Sequence, residues 1–344
     1  MRLATTVKSI KEEKEMKKVV SFGRLLSKWF TLFVVLWAVF NYFVPSFSAP
    51  VVANTKYLLG VILFGMGLTL TGQDFKRIVE KPIPVLMGTV AHYVIMPSLA
   101  WLLCLVFQLK GATAAGVILV GACPSGTSSS VMAYLAGGDV ALDVSIEALS
   151  TLLAPVMLPT ILYLFAGQYV KVPTQSLFMS TLEIVVLPIV LGVVVHTFFG
   201  KRLAPVLDFL PIVSQLAILA IIGAVVSANH ANLFTAATAV VIPVVMLHNL
   251  LGYTLGYLFS RVLRLHQPQQ KALTFEVGMQ DSSLGATLAL TYFSPAAAIA
   301  STLFSIWHNI SGSVLSSWWK NHTAESLEEM VQNYENQNAQ KATN

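Results

Sequence analysis

Between 271 and 292 the chain reads KALTFEVGMQDSSLGATLALTY, which sets Glu276, Gln280 and Asp281 in a run otherwise suited to lipid. Ionisable groups at membrane depth are costly, and they persist where an ion, a substrate or a proton uses them. The interruption at 277–281, Val-Gly-Met-Gln-Asp, is a place where a spanning helix can unwind and offer backbone carbonyls as ligands. Carboxylate, amide and carbonyl oxygens gathered in so short a stretch read as half of a transport site. A second interruption, Cys123-Pro124-Ser125-Gly126-Thr127, lies in an equally apolar setting. Its proline removes a backbone donor and clashes with the preceding turn, so the helix should break there as well.

The elements that must hold these stretches follow from composition. With 56% hydrophobic and 11% charged residues in 344, and a mean hydropathy of +0.72, the chain is too apolar for a soluble domain and reads as a polytopic membrane protein. The net charge of +5 has no basic patch interleaved with aromatics behind it, so nucleic acid is not an expected partner; lipid is. Cys104 and Cys123 both fall in apolar segments and support neither a disulfide framework nor a metal cluster.

A spanning helix needs about 20 apolar residues. Ten segments qualify, over 29–44, 56–70, 83–107, 112–135, 140–165, 177–199, 209–227, 236–259, 272–292 and 296–319, and the fourth and ninth carry the interruptions. With the N-terminus inside, ten crossings leave only Lys56, Lys110 and Lys171 of the 21 Lys and Arg facing out, as the positive-inside rule requires. Both termini are therefore expected in the cytoplasm: a basic tail over 1–28, and a Glu-, Gln- and Asn-rich tail over 320–344, disordered or loosely helical. Two five-helix repeats, 29–165 and 177–319, each have their broken helix fourth; His92 precedes the first break as His248-Asn249 precedes the second. An odd number of spans separates the copies, so they should be inverted in the membrane, with the breaks meeting near its middle.

Four stretches carry a resemblance: GMGLTLTGQDFKR (65–77), GACPSGTSSSVMAYLAGGDVAL (121–142), TFEVGMQDSSLGATLA (274–289) and FSIWHNISGS (304–313). They resemble, in order, the signature motifs of the bile acid:sodium symporter family. That resemblance implies a panel domain of helices 1, 2, 6 and 7 and a core domain of helices 3–5 and 8–10, whose two broken helices cross. It also implies two sodium ions beside the crossing and an organic anion between the domains, either bile-acid-like or a small carboxylate such as pantoate or pyruvate. Glu276 and Gln280, with the carbonyls of Val277 and Met279, match the family's ion ligands. Where the family has Ser-Asn in the first broken helix, this chain has Ser129-Ser130. Asp143 and Glu147 replace hydroxyl residues on the fifth helix, and at i and i+4 they share one face. His92 stands where the best-known relatives place a glutamine, and Asp281 where they place an asparagine.

Three carboxylates around a single monovalent cation are too many in a low dielectric, so a proton is expected to accompany or replace one sodium ion, with Glu147 as its carrier. Each residue also has a plainer reading. Asp143 and Glu147 could be hydrated near the cytoplasmic interface, and His92 could be a neutral donor to a carbonyl on the next helix. His248 and Asn249 could tie helix 8 to its neighbours.

For the anion, backbone N–H groups near Gly126, Thr127 and Ser128 supply partial positive charge at the start of a half-helix, and Thr127 adds a hydroxyl. His308 and Asn309 could reach the same crossing. Asp281 is an obstacle there unless it is protonated, turned toward the cations, or accepting from a hydroxyl or amine of the substrate. No HExxH or GxSxG spacing supports an intramembrane enzyme, and a compact ion cage favours a carrier over a channel. The expectation is a monomeric, multi-pass plasma-membrane protein that couples uptake of an organic anion to sodium, or to a proton and sodium together, by alternating access.

Overall fold

A computed structural model describes residues 29–343 apart from 81, 208, 232 and 234; the basic tail over 1–28 lies outside the described residues. The described residues are helical, and the only extended pairing among them is a single bridge at the crossing discussed below.

In chain order the helices are α1 (Phe30–Phe43), α2 (Thr55–Thr69), α3 (Gly72–Glu80), α4 (Pro82–Val106), α5 (Gly111–Ala122), α6 (Ser128–Leu135) and α7 (Val140–Ile161). They continue as α8 (Thr174–Thr181), α9 (Leu187–Leu207), α10 (Leu210–Asn229), α11 (Ala236–Val262), α12 (Gln267–Gly278), α13 (Ser282–Tyr292) and α14 (Pro295–Thr343). Six helical stretches among the described residues are long and apolar enough to cross a bilayer: Pro45–Thr69, Pro82–Val106, Val140–Ala166, Thr174–Gly200, Leu210–Asn229 and Thr238–Val262. Leu32–Phe43 and Gly111–Ala122 are shorter apolar helices. Leu36, Phe43, Val94, Val106, Leu164, Phe198 and Val262 are exposed on helix surfaces, which suits a chain whose outer solvent is hydrocarbon. The protein is a multi-pass membrane protein.

Several helices carry internal prolines, Pro97 in α4, Pro155 and Pro159 in α7 and Pro243 in α11, and keep their course. Neighbouring helices and local rearrangement absorb the lost bonds in such settings. Here the turn after α7, Leu162–Ala166, widens into a π-helical one, and a second π turn, Leu182–Val186, joins α8 to α9.

Packing follows two groupings. α9 lies along α2, and α10 packs on α1 and α2. Close backbone approach is what allows the first contact: a Cβ at Gly67 would stand 2.3 Å from the Ile189 carbonyl oxygen, and one at Gly192 would stand 2.5 Å from that of Phe64. α4, α7, α11 and α14 gather around the interrupted pairs α5/α6 and α12/α13. The C-terminal tail, expected to be disordered or loosely helical, continues α14 as helix to Thr343.

Candidate functional site at the helix crossing

Both predicted interruptions are present, and they meet. α5 ends at Ala122 because Pro124 has no N–H to continue the ladder. α12 ends at Gly278, and Met279 is extended at φ −109°, ψ 132°. Ser125 and Gln280 then pair as an antiparallel bridge. The Gly126 N–H donates to the Met279 carbonyl at 3.3 Å, and the Asp281 N–H to that of Pro124 at 2.8 Å. Each broken segment satisfies the backbone groups that the other has released, which is the condition for irregular backbone among membrane helices. Gly126 has no alternative here, since a Cβ would stand 2.6 Å from the Gln280 carbonyl oxygen.

Acidic groups line one side of the crossing. Asp143 and Glu276 are fully buried, and Glu147 is 3% exposed. Ser129 joins the first two: its Oγ lies 2.9 Å from Asp143 Oδ2 and 3.2 Å from Glu276 Oε2, with Ser125 Oγ 3.4 Å away. A hydroxyl has one proton and cannot donate to both carboxyls. Asp143 Oδ1, Glu147 Oε1 and Glu276 Oε1 are buried and meet no donor. Burying an anionic oxygen without a partner is expensive, and a cation is one of the few things that can offset the cost.

These oxygens suit a hard monovalent ion, which takes carboxylate, hydroxyl and carbonyl donors. No three His, Cys, Asp or Glu side chains surround one point among the described residues. Asp143 and Glu276 are nonetheless neighbours, since the one Ser129 hydroxyl stands between Oδ2 of the first and Oε2 of the second. A cation here would take one or two carboxyl oxygens and complete its shell from Ser129 and the backbone.

His92, fully buried on α4, sits between the two breaks. Its Nδ1 is 2.9 Å from the Glu276 carbonyl oxygen and its Nε2 is 2.9 Å from that of Cys123. A neutral ring has one N–H and can donate to one of these two carbonyls, which is the plainer reading; the other nitrogen is an acceptor facing an acceptor. Gln280 is also fully buried, and its amide nitrogen faces the Cys123 carbonyl at 2.7 Å; the reverse orientation sets its oxygen against acceptors only.

The two half-helix starts differ. Asp281 is the N-cap of α13, and its Oδ1 accepts the Leu284 N–H at 3.0 Å. Of the three readings left open for Asp281, the structure adds a fourth: the carboxylate neutralises its own helix start. Thr127 at the start of α6 makes no such bond; it is exposed, Ser128 is half-buried and Gly126 is buried. The start of α6 thus lacks a side-chain cap, while its Gly126 N–H is taken by the Met279 carbonyl and its Ser129 N–H by the Gly126 carbonyl at 2.8 Å.

Three further expected residues make the following contacts. Ser130 donates to the Thr127 carbonyl at 3.0 Å, and Asn309 to that of Ser305 at 2.7 Å, so both serve their own helices. His308 lies against Phe304, ring centroids 5.4 Å apart, with Nδ1 unbonded. Lys271, which sequence reading gave only a place on the cytoplasmic side, donates to the Ala136 carbonyl at 2.7 Å, where a cation suits the end of α6. An open cavity of about 940 Å³ lies away from the acidic cluster, lined by Leu70, Thr71, His196 and Phe199 among others.

A family profile described as "Sodium Bile acid symporter family" matches residues 56–236. The chain is 46% identical over 84% of its length to "Uncharacterized sodium-dependent transporter YocS" of Bacillus subtilis (strain 168), covering 90% of that protein. This chain belongs to the sodium bile acid symporter family. Among other relatives, "Probable sodium/metabolite cotransporter BASS1, chloroplastic" of Arabidopsis thaliana is 33% identical over 89% of the chain and 77% of its own length. A BASS2 counterpart of Oryza sativa subsp. japonica is 32% identical over 90% of the chain and 74% of its own length. As a symporter-family member the chain is a transporter rather than an enzyme, and its crossing, with buried carboxyl oxygens at the breaks, is where that membership bears on chemistry.

Proposed function

We propose that the protein is a secondary active transporter that carries a small organic carboxylate into the cell together with sodium, by alternating access. The observation that carries this is the set of buried oxygens at Asp143, Glu147 and Glu276 that meet no donor, beside two helix breaks that can aim carbonyls at the same place. The relatives' names, sodium-dependent transporter and sodium/metabolite cotransporter, support sodium as the coupling ion.

In this reading Glu276 is shared between two ions. Asp143 and Ser129 complete one shell; Gln280 and the Val277 and Met279 carbonyls serve the other, with His92 beside it. The substrate carboxylate approaches the start of α6 at Gly126, Thr127 and Ser128, where the cations lower the cost of bringing an anion to mid-membrane. The ten-span, inverted-repeat arrangement is supported by the place of each break fourth in its half. The packing of α9 along α2 and of α10 on α1 and α2, with α10 also meeting α13 and α14, supports a panel moving against a core.

A second reading, in which a proton takes the place of one sodium ion, is favoured by the count of three buried carboxyls with only Ser129 bridging two of them. A thermal-shift screen of small carboxylates in detergent, with sodium or with choline, tests the main reading. A ligand that binds the folded state at 100 times its Kd stabilises by about 2.7 kcal/mol. The expected result is a carboxylate whose stabilisation requires sodium; stabilisation by carboxylates that is the same in choline would oppose it.

A further inference from the structure

Asn249 belongs to none of the family motifs quoted above, yet it holds the second break open. It is fully buried on α11, and its Nδ2 donates to the Gly278 carbonyl at 2.8 Å. Gly278 is the last residue of α12, and in a continuous helix its carbonyl would accept from the N–H of Ser282. That N–H goes instead to the Gln280 carbonyl at 2.8 Å. The amide of Asn249 thus replaces the helix bond that the break removes. Its Oδ1 is held in turn by Ser311 Oγ of α14 at 2.6 Å, and Tyr253 OH lies 3.4 Å from that hydroxyl while donating to the His308 carbonyl at 3.3 Å.

The approach is built for it. A Cβ at Gly252 would stand 3.1 Å from Gly278 Cα, and one at Gly256 would stand 2.9 Å from Val277 Cβ. The Tyr253 ring occupies the space where Gly278 would carry a Cβ, 2.1 Å from its Cδ1. Asn249, Gly252, Tyr253 and Gly256 share one face of α11, spaced at helical intervals, and that face is a seat for the last turn of α12.

We propose that Asn249, fixed by Ser311, is a positioning residue for cation binding: by capturing the Gly278 carbonyl it sets where α12 unwinds and so aims the flanking Val277 and Met279 carbonyls at the ion. This rests on the sodium-coupling reading above. His92 contacts the Cys123 carbonyl at the end of α5 as Asn249 contacts that of Gly278 at the end of α12, so each break has a buried polar side chain on the helix before it.

The test uses full-length protein in proteoliposomes, with the carboxylate found in the thermal-shift screen as probe. Sodium half-saturation and substrate KM at saturating sodium are measured for Asn249→Leu, Ser311→Ala and, as a neighbour on the same helix, Thr254→Ala. The expected result is a sodium half-saturation raised about tenfold in Asn249→Leu and severalfold in Ser311→Ala, with substrate KM within about twofold of wild type and Thr254→Ala unchanged. If Asn249→Leu fails to fold, Ser311→Ala decides. Unshifted sodium half-saturation in the folded variants overturns the role of Asn249, as does a fall in maximal rate with both constants unchanged. Wild-type uptake indifferent to sodium overturns the coupling reading instead.

Discussion

Ser125 and Gln280 face each other across the crossing as the single extended pair among the described residues, each lying in the gap of its own broken helix. This pairing makes the two breaks one object. A displacement of either segment moves the carbonyls and carboxyls of both, so binding at one break is mechanically tied to the geometry of the other.

Gly126→Ala tests that tie. The new methyl would stand 2.6 Å from a backbone oxygen that cannot rotate away, so the bridge must open. We expect uptake to fall at least tenfold while Gly72→Ala, where nothing lies within 4 Å of the added carbon, transports as wild type does. Initial uptake rates normalised to protein in the membrane are the measurement.

Ser129→Ala removes the hydroxyl that spans Asp143 and Glu276. Leaving a buried carboxylate short of a donor costs about 1–3 kcal/mol, and the cation shell loses an oxygen as well. Sodium half-saturation should rise roughly tenfold or more, read from uptake against sodium concentration, with Ser130→Ala shifting it far less because that hydroxyl serves its own helix.

Asp281→Asn keeps a side-chain oxygen for the Leu284 N–H and removes the charge. If the carboxylate acts only as a cap, uptake and thermal stability stay within about twofold and 1 kcal/mol, in the range of one cap substituted by another. A gain in affinity for simple carboxylates, measured by competition, is expected if the charge also faces the substrate.

Glu147→Gln separates the proton from sodium. Where Glu147 carries a proton inward, an acid-outside pH gradient without sodium drives uptake in wild type and not in the variant, while sodium-driven uptake survives in both. Absence of gradient-driven uptake in wild type removes the proton from the mechanism.

Much of the site is legible in the sequence because its cost is visible there. A proline amid small apolar residues at 124, and Glu276 with Gln280 among residues meant for lipid, are departures no packing argument explains. Other parts depend on partners far along the chain. The capping by Asp281 has a local signal, an Asp three residues before Leu284 at a helix start, that motif reading passed over in favour of ligand roles. The bridging by Ser129 and the outward turn of Ser130 differ only in helix phase, which a run of serines does not reveal. Asn249 meets Gly278 only because Gly252 and Gly256 let two helices nearly touch, and that proximity is tertiary.

The most direct test measures uptake of the carboxylate identified by thermal shift, in proteoliposomes, under an inward sodium gradient, for wild type and Glu276→Gln. Uptake above the external concentration in wild type, abolished when sodium is equal on both sides and lost in Glu276→Gln, is the expected result. Concentrative uptake that survives either change contradicts a cation site built on the crossing.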